Sequence, residues 1–232
     1  MTLARRWLKV DFHVHTKEDP KDNIAYDAFQ LVYQAAQLGF EAMAITNHDS
    51  LTYGEELSAY AQENNILLIP GAEITCEGKH VLLINPPFVP QKNELALADL
   101  NLFSRQDCLI IAPHPYFPGF RSLADELVRY HHLFDAIEFS AFYNHLVNPN
   151  QKAIEVGEKF GLPLVACSDA HNLWQLGTSF TLIEAEKTVA GVIQAVKEKR
   201  VQLYLQPLGS RTMARVMINF LLTDKLKLPW RV

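Results

Sequence analysis

Cysteine is scarce in this chain: three residues in 232, with no CxxC pair among Cys76, Cys108 and Cys167. An odd, dispersed set excludes a disulfide framework and fits a reduced, cytoplasmic protein. Cys108 and Cys167 lie in apolar, strand-like runs and are expected to be small buried residues. Positive charge is not in excess either, since 21 Lys and Arg face 26 Asp and Glu, a net charge of −5. That balance argues against tight binding of long nucleic acid and leaves room only for a local grip. Long apolar runs are missing. "MINFLL" is far too short to span a membrane, and "MTLARRWLKVDF" lacks the apolar core of a secretion signal. No glycine-rich dinucleotide fingerprint follows the first strand-like run. No low-complexity linker marks a domain boundary.

What the chain does have is a steady alternation of apolar runs and helix-period segments, in a composition that is 49% hydrophobic and 20% charged. "WLKVDFHV" precedes "DAFQLVYQAAQLGF", where apolar residues recur at helical spacing and Gly39 fits the stop. "EAMAIT" leads to "GEELSAYAQENN", and "ILLIPGAEIT" to "HVLLI". Helical patterns over "KNELALADLNLFSR", "SLADELVRYHHLF", "NPNQKAIEVGEKFG" and "KTVAGVIQAVKEKR" interleave with "CLIIAPH", "AIEFS", "LPLVACS" and "SFTLIEA". About seven βα units follow, and with them a mainly parallel sheet. The expectation is one barrel-like α/β domain over residues 1–232, with 206–232 forming a C-terminal helix and a tail whose Trp230 packs on something.

Histidine is the telling residue. Of the nine present, six sit at strand edges: His13, His15, His48, His80, His114 and His171. Residues i and i+2 of a strand face the same way, so His13 and His15 present their rings together, as do Asp169 and His171. In a parallel barrel the C-terminal ends of the strands converge on one face. His80 begins its strand, but a hairpin turning at Glu77-Gly78 would set Thr75 opposite His80 and carry Glu73 to the same rim. One strand-end histidine is ordinarily a hydrogen-bonded structural residue. Six at converging ends, with Glu73 and Asp169 beside them, make a metal site. Eight donors exceed the needs of one ion, so two or three divalent ions are expected, with a bridging hydroxide between a close pair. Nitrogen and oxygen donors suit Zn, Mn or Fe alike.

The motifs "DFHVHT", "AITNHD", "PGAEIT", "HVLLI", "APHP" and "CSDAH", in this order over residues 11–171, resemble those of the PHP (polymerase and histidinol phosphatase) family. The resemblance implies a distorted (β/α)7 barrel with a three-metal centre at the C-terminal ends of its strands, and phosphoester hydrolysis as the activity. It also implies a ninth ligand, an acid shortly after the HxH pair. Counting back from the first helix selects Asp22; counting forward from His15 selects Asp19. Asp22 is taken, giving His13, His15, Asp22, His48, Glu73, His80, His114, Asp169 and His171 as the ligand set. The family's usual Asp before the third histidine is Asn47 here.

On this reading the substrate is a phosphate ester, a nucleotide or short oligonucleotide ahead of a sugar phosphate. Asp169 and His171 would be ligands that also orient the attacking hydroxide, and His145 would protonate the leaving oxygen. Lys17 and Arg121 are the candidate phosphate grip, with Arg105 a further cation. "PYFPGF" would wall the site. His131 and His132, in a helical stretch, are expected to be solvated or to pack. Two alternatives stay open: hydrolysis of amides or lactones by the same hydroxide, and a non-catalytic metal-binding module. Oligomeric state is not legible in the sequence.

Overall fold

The computed structural model describes residues 4–91, 94–103, 107–216 and 218. Nine strands form one mixed sheet, wrapped into a nearly closed barrel, with helices packed outside it. The chain enters through β1 (Arg6–Asp11), crosses α1 (Ala28–Gln37) to β2 (Ala42–Ile45), and crosses α2 (Glu55–Glu63) to β3 (Leu67–Cys76). These three strands are parallel neighbours. The hairpin then turns into β4 (Lys79–Ile84), antiparallel to β3 with Thr75 opposite His80, the register expected from the sequence. Glu77 and Gly78 take φ values of 49° and 78°, the left-handed conformation that a two-residue turn requires.

Next come β5 (Leu109–Ala112), antiparallel to β4, and then β6 (Ala136–Phe139) and β7 (Leu164–Ala166), parallel to β5 in turn. Between these strands lie α3 (Asp125–Arg129) and α4 (Gln151–Phe160), the latter stopped by Gly161 at φ 70°. The last part departs from a regular βα alternation. β8 (Ser179–Ala185) runs antiparallel to β1, α5 (Val189–Lys197) follows, and β9 (Val201–Leu205) adds to β8 as an edge strand. The connection between β7 and β8 contains only a three-residue 3-10 turn at Leu173–Gln175. A parallel crossover usually runs through a helix, and without one here the chain returns antiparallel. The helix expected over "KNELALADLNLFSR" is a 3-10 segment at Leu97–Phe103, and that over "SLADELVRYHHLF" is the short α3 followed by a turn at His131–Leu133. His131 stacks on Phe160, at 3.8 Å between ring centroids, a packing role as expected. Of the expected C-terminal helix, residues 210–216 are helical; Trp230 and the tail lie outside the described residues.

Barrel strands contribute Leu8, Val10, Ala44, Ile69, Leu82, Ile111 and Val165 to one buried cluster, and α5 lays Val192, Ile193 and Val196 into it. A second cluster joins β2 and β3 to α1, whose face of Leu31, Val32 and Ala35 is fully buried. Asp27 caps that helix, accepting from the Gln30 amide at 2.8 Å while the Gln30 side chain accepts from the Asp27 amide. All three cysteines are buried, and none forms a disulfide. None of the described helices is long and apolar enough to cross a membrane.

A side chain links β7 to β8. Buried Thr181 Oγ1 accepts from the Ala166 amide and donates to the Ala166 carbonyl, each at 2.8 Å. Thr181→Val keeps the shape and removes both bonds. We expect it to lower unfolding free energy by about 2 kcal/mol, because buried polar groups lose their partner. Denaturant unfolding measures this, and a change below about 0.5 kcal/mol would assign that link to packing alone.

Candidate metal centre

The C-terminal ends of the strands meet in a cleft with about 830 Å³ of open space, part of it continuous with solvent. His15, Asp22, His48, Glu73, His80, His114, Asp169 and His171 all line it. His13 lies beneath them, fully buried, with its Nε2 3.1 Å from His15 Nε2. Donor atoms fall into four overlapping groups, each within 4.8 Å: His15, Asp19, Asp22 and His48; His13, Glu73 and His114; His13, His15 and Asp169; His48, Glu73 and His80. Every candidate ligand that the sequence reading named therefore lies at this cleft, His171 beside Asp22 and outside the four groups.

Glu73 is its hub. Its Oε1 lies 2.7 Å from His80 Nδ1 and 3.2 Å from His114 Nε2, and its Oε2 3.1 Å from His48 Nε2 and 3.5 Å from His15 Nε2. The hairpin register delivers this carboxylate, and the isolated bridge between His48 and Glu73 ties the two strand ends together. Asp169, held at φ 46°, points Oδ1 to within 3.4 Å of both His13 Nε2 and His15 Nε2.

Carboxylates also stand behind the imidazoles. Asp19 Oδ2 lies 2.9 Å from Nδ1 of both His15 and His48 and accepts from the His48 amide. Its Oδ1 accepts from the amides of Lys21 and Asp22. Asp22 lies on the cleft side, its Oδ2 3.1 Å from His171 Nε2 and 3.5 Å from His48 Nδ1. The sequence choice between Asp19 and Asp22 thus has two answers. Asp22 faces the cleft, while Asp19 orients two histidines through the nitrogen turned away from it, the usual arrangement behind a metal ligand. The sequence reading missed Glu138, whose Oε2 lies 2.7 Å from His13 Nδ1. A lone Glu inside the apolar run "AIEFS" was the available signal, because a buried carboxylate is costly without a partner.

The arrangement calls for cations. With Nδ1–H of His13 and His15 directed at Glu138 and Asp19, two Nε2 lone pairs face each other across 3.1 Å. Without a proton or metal ion between them this contact is repulsive. His80 Nε2 and His114 Nδ1 are buried with no hydrogen-bond partner, and His80 Nδ1, though close to Glu73, lies outside hydrogen-bonding geometry. Unpartnered imidazole nitrogens among carboxylates are the donor chemistry of a divalent metal site, so the residues fit the group.

Metal-free, protons serve instead. Burial works against charged His15, but hydrogen bonds to Asp169 and Asp19 carry its pKa up to about 10. Burial likewise opposes charge on His13, yet Asp169, Glu138 and Glu73 hold it well above the usual range; burial opposes charge on His114 as well, and Glu73 raises its pKa. Burial opposes charge on Glu73 too, and the imidazoles of His80, His13 and His48 hold it well below the usual carboxylate range. His80 goes the other way, pushed by burial down to about 4, so it is neutral at pH 7. Metal must therefore displace protons from His13 and His15, and affinity should fall as pH drops below those raised values. We expect roughly two protons released per chain on zinc loading at pH 7. Calorimetry in buffers of different ionisation enthalpy counts them; zero would show that His13 and His15 are already neutral in the metal-free protein.

The Asn47 side chain makes its hydrogen bonds away from the donors, although its backbone carbonyl accepts from the Glu73 amide at 3.2 Å. Its Oδ1 accepts from the Thr16 amide at 2.8 Å, and its Nδ2 donates to the hydroxyls of Thr16 and Thr52, tying the HxH segment to the loop after β2. Arg121 lines the cleft beside Phe117, Ser122, Phe142 and Val216. Ser122 Oγ donates to the carbonyls of His114 and Phe117, and the Arg121 carbonyl accepts from the His80 amide, so this wall is fixed to the donor strands. Phe117 and Gly119 are the part of "PYFPGF" that walls the site. Lys17 is exposed and is not among the lining residues. His145 is also exposed and lines a separate groove with Asn144, Leu146 and Leu208. Arg105 lies outside the described residues.

A PHP-associated family model matches residues 147–201, the stretch from α4 to β9 that carries Asp169 and His171. An uncharacterized protein of Methanocaldococcus jannaschii is 28% identical over 137 residues, covering 52% of this chain and 75% of that protein. Among solved structures, a two-domain protein of Bacteroides vulgatus, described as containing a predicted PHP-like metal-dependent phosphoesterase, matches with a TM-score of 0.68 and 18% identity over 93% of this chain and 70% of its own. The lesion-specific endonuclease Q of Pyrococcus furiosus matches with a TM-score of 0.60 and 17% identity over 85% of this chain and 58% of its own. At such identities these two likenesses show the fold alone. Taken with the PHP-associated match and the ordered donors from His13 to His171, they bear out the chain's resemblance to the PHP family and its barrel fold.

Proposed function

We propose that the protein is a metal-dependent hydrolase of phosphate esters, holding two to three divalent ions among its nine cleft donors. The observation that carries this reading is the facing Nε2 pair of His13 and His15, whose Nδ1 atoms are both committed to buried carboxylates. Zn, Mn and Fe all suit the donor set. When bound, such ions neutralise phosphoryl charge and make a deprotonated water accessible at neutral pH.

The chain's own residues set the rest. Glu73 and Asp169 keep the histidines converged, and Asp19 fixes two of them from behind. Arg121, on the cleft wall, grips the phosphate; Lys17, turned outward, would reach only a substrate that extends beyond the cleft. His171 lies at the cleft with Nδ1 3.6 Å from Asp169 Oδ1, where it can pass a proton to the leaving oxygen. It is better placed for this than His145, which serves only a substrate that reaches the neighbouring groove. Phe117, Phe142 and Val216 limit water on one side. A small phosphorylated compound or the end of a short oligonucleotide fits this cleft, and the DNA endonuclease among the fold relatives is consistent with either.

The test is a substrate panel on metal-loaded protein: p-nitrophenyl phosphate, bis(p-nitrophenyl) phosphate, nucleoside monophosphates and short oligonucleotides, against matched carboxyl esters, lactones and amides. Turnover confined to phosphate esters supports the proposal. Turnover of amides or lactones alone, or none on any substrate with metal bound, contradicts it.

A further inference from the structure

Glu138 is fully buried at the barrel end of β6, in a strand whose other residues are also buried. Its Oε2 meets His13 Nδ1 at 2.7 Å, and its Oε1 has no hydrogen-bond partner. A carboxylate so placed is expensive, and a leucine would pack there at no electrostatic cost. We propose that Glu138 is a positioning residue of the metal centre, acting solely through His13. It holds the imidazole with Nδ1 protonated, which leaves the Nε2 lone pair aimed at the space shared with His15 Nε2, Asp169 Oδ1 and Glu73 Oε2, at 3.1, 3.4 and 3.6 Å. The charge on Glu138 makes that lone pair a stronger donor.

Asp19 serves His15 in the same way, but it is also bound to three backbone amides, so its removal disturbs the loop as well. Glu138 has the simpler connection. Together the two carboxylates explain why HxH can be an inward-facing pair of donors in a dry site: each histidine has its own acid behind it. The proposal rests on the metal-centre reading above.

The experiment compares zinc affinity, by competition with a chromophoric chelator, across the native protein, E138Q, E138A, H13A and the double variant H13A/E138A. Melting of each metal-free protein is followed in parallel. We expect E138A to lose about 10- to 100-fold in affinity. E138Q should lose less, because the amide oxygen still accepts from Nδ1–H; it also keeps the volume of the site if E138A fails to fold. In the H13A background, removing Glu138 should change affinity no further, the signature of two residues acting as a unit. In zinc-loaded protein, the His13 ring 15N shifts should report a protonated Nδ1 in the native chain and lose that signature in E138A. Native-like affinity in both Glu138 variants would overturn the proposal, as would an undiminished loss in the H13A background. A native chain that binds no zinc would instead remove the metal-centre reading on which it rests.

Discussion

Replacing Glu73 with Gln should lower phosphoesterase turnover at least about 10³-fold and remove at least one metal equivalent. Both oxygens of this buried carboxylate are in use, Oε1 toward His80 and His114, and Oε2 toward His48, His13 and His15. The amide keeps the volume but offers one oxygen and no charge. Two of the donor groups, His13–Glu73–His114 and His48–Glu73–His80, lose their only acid. Metal-free, the variant should also be about 3 kcal/mol less stable, since buried imidazolium groups lose their counter-charge. Elemental analysis, initial rates and denaturant unfolding on one preparation separate the effects. Native metal content together with turnover within tenfold of native would show that Glu73 is structural.

Asp19→Ala and Asp22→Ala should differ in kind. Asp19 accepts from two imidazoles and three backbone amides, and these contacts with His15 and His48 hold its carboxyl well below the usual range despite burial. Its loss frees buried donors and loosens the whole "TKEDPKDN" loop, so we expect about 3–5 kcal/mol of lost stability and a failure to hold metal. Asp22 is partly exposed and contacts His171 and His48. Asp22→Ala should leave the melting temperature within a few degrees while lowering metal affinity. Equal destabilisation by the two variants would contradict this division, as would intact metal binding in Asp22→Ala.

Much of the donor cluster was legible because donor side chains at strand ends leave period-two marks. His13 with His15 and Asp169 with His171 read as same-face pairs, and the Glu77-Gly78 turn signal was enough to set His80 opposite Thr75. What stays hidden in a sequence is the second layer. Asp19 and Asp22 are three residues apart in a loop without periodicity, and spacing alone does not tell a donor facing the cleft from the acid behind a donor. Glu138 is 125 residues from His13 and has no motif; only the fold brings the two together. Lys17 and Arg121 were equally plausible grips by proximity to a histidine. The loop directions that put Arg121 on the wall and Lys17 outside it depend on backbone bonds such as that from the Lys17 amide to the Tyr26 carbonyl.

The fold shows the same division. Local signals gave the first units correctly, from the capping Asp27 to the stop at Gly39, with φ 75°. They failed where tertiary context governs. Leu97–Phe103 and His131–Leu133 lie in stretches of helical composition but form only 3-10 segments, too short to offset the cost of starting an α-helix. The reversal of β8 follows from the missing crossover helix after β7, and the edge strand β9 exists only because β8 gives it a partner.

The most direct test of the account is the metal content of native protein purified without chelator, then reloaded and measured by elemental analysis per chain. Two to three equivalents of Zn, Mn or Fe, lost in Glu73→Gln, is the predicted result. A folded chain that neither retains nor takes up a divalent metal would contradict it, and the histidine cluster would then be held together by protons alone.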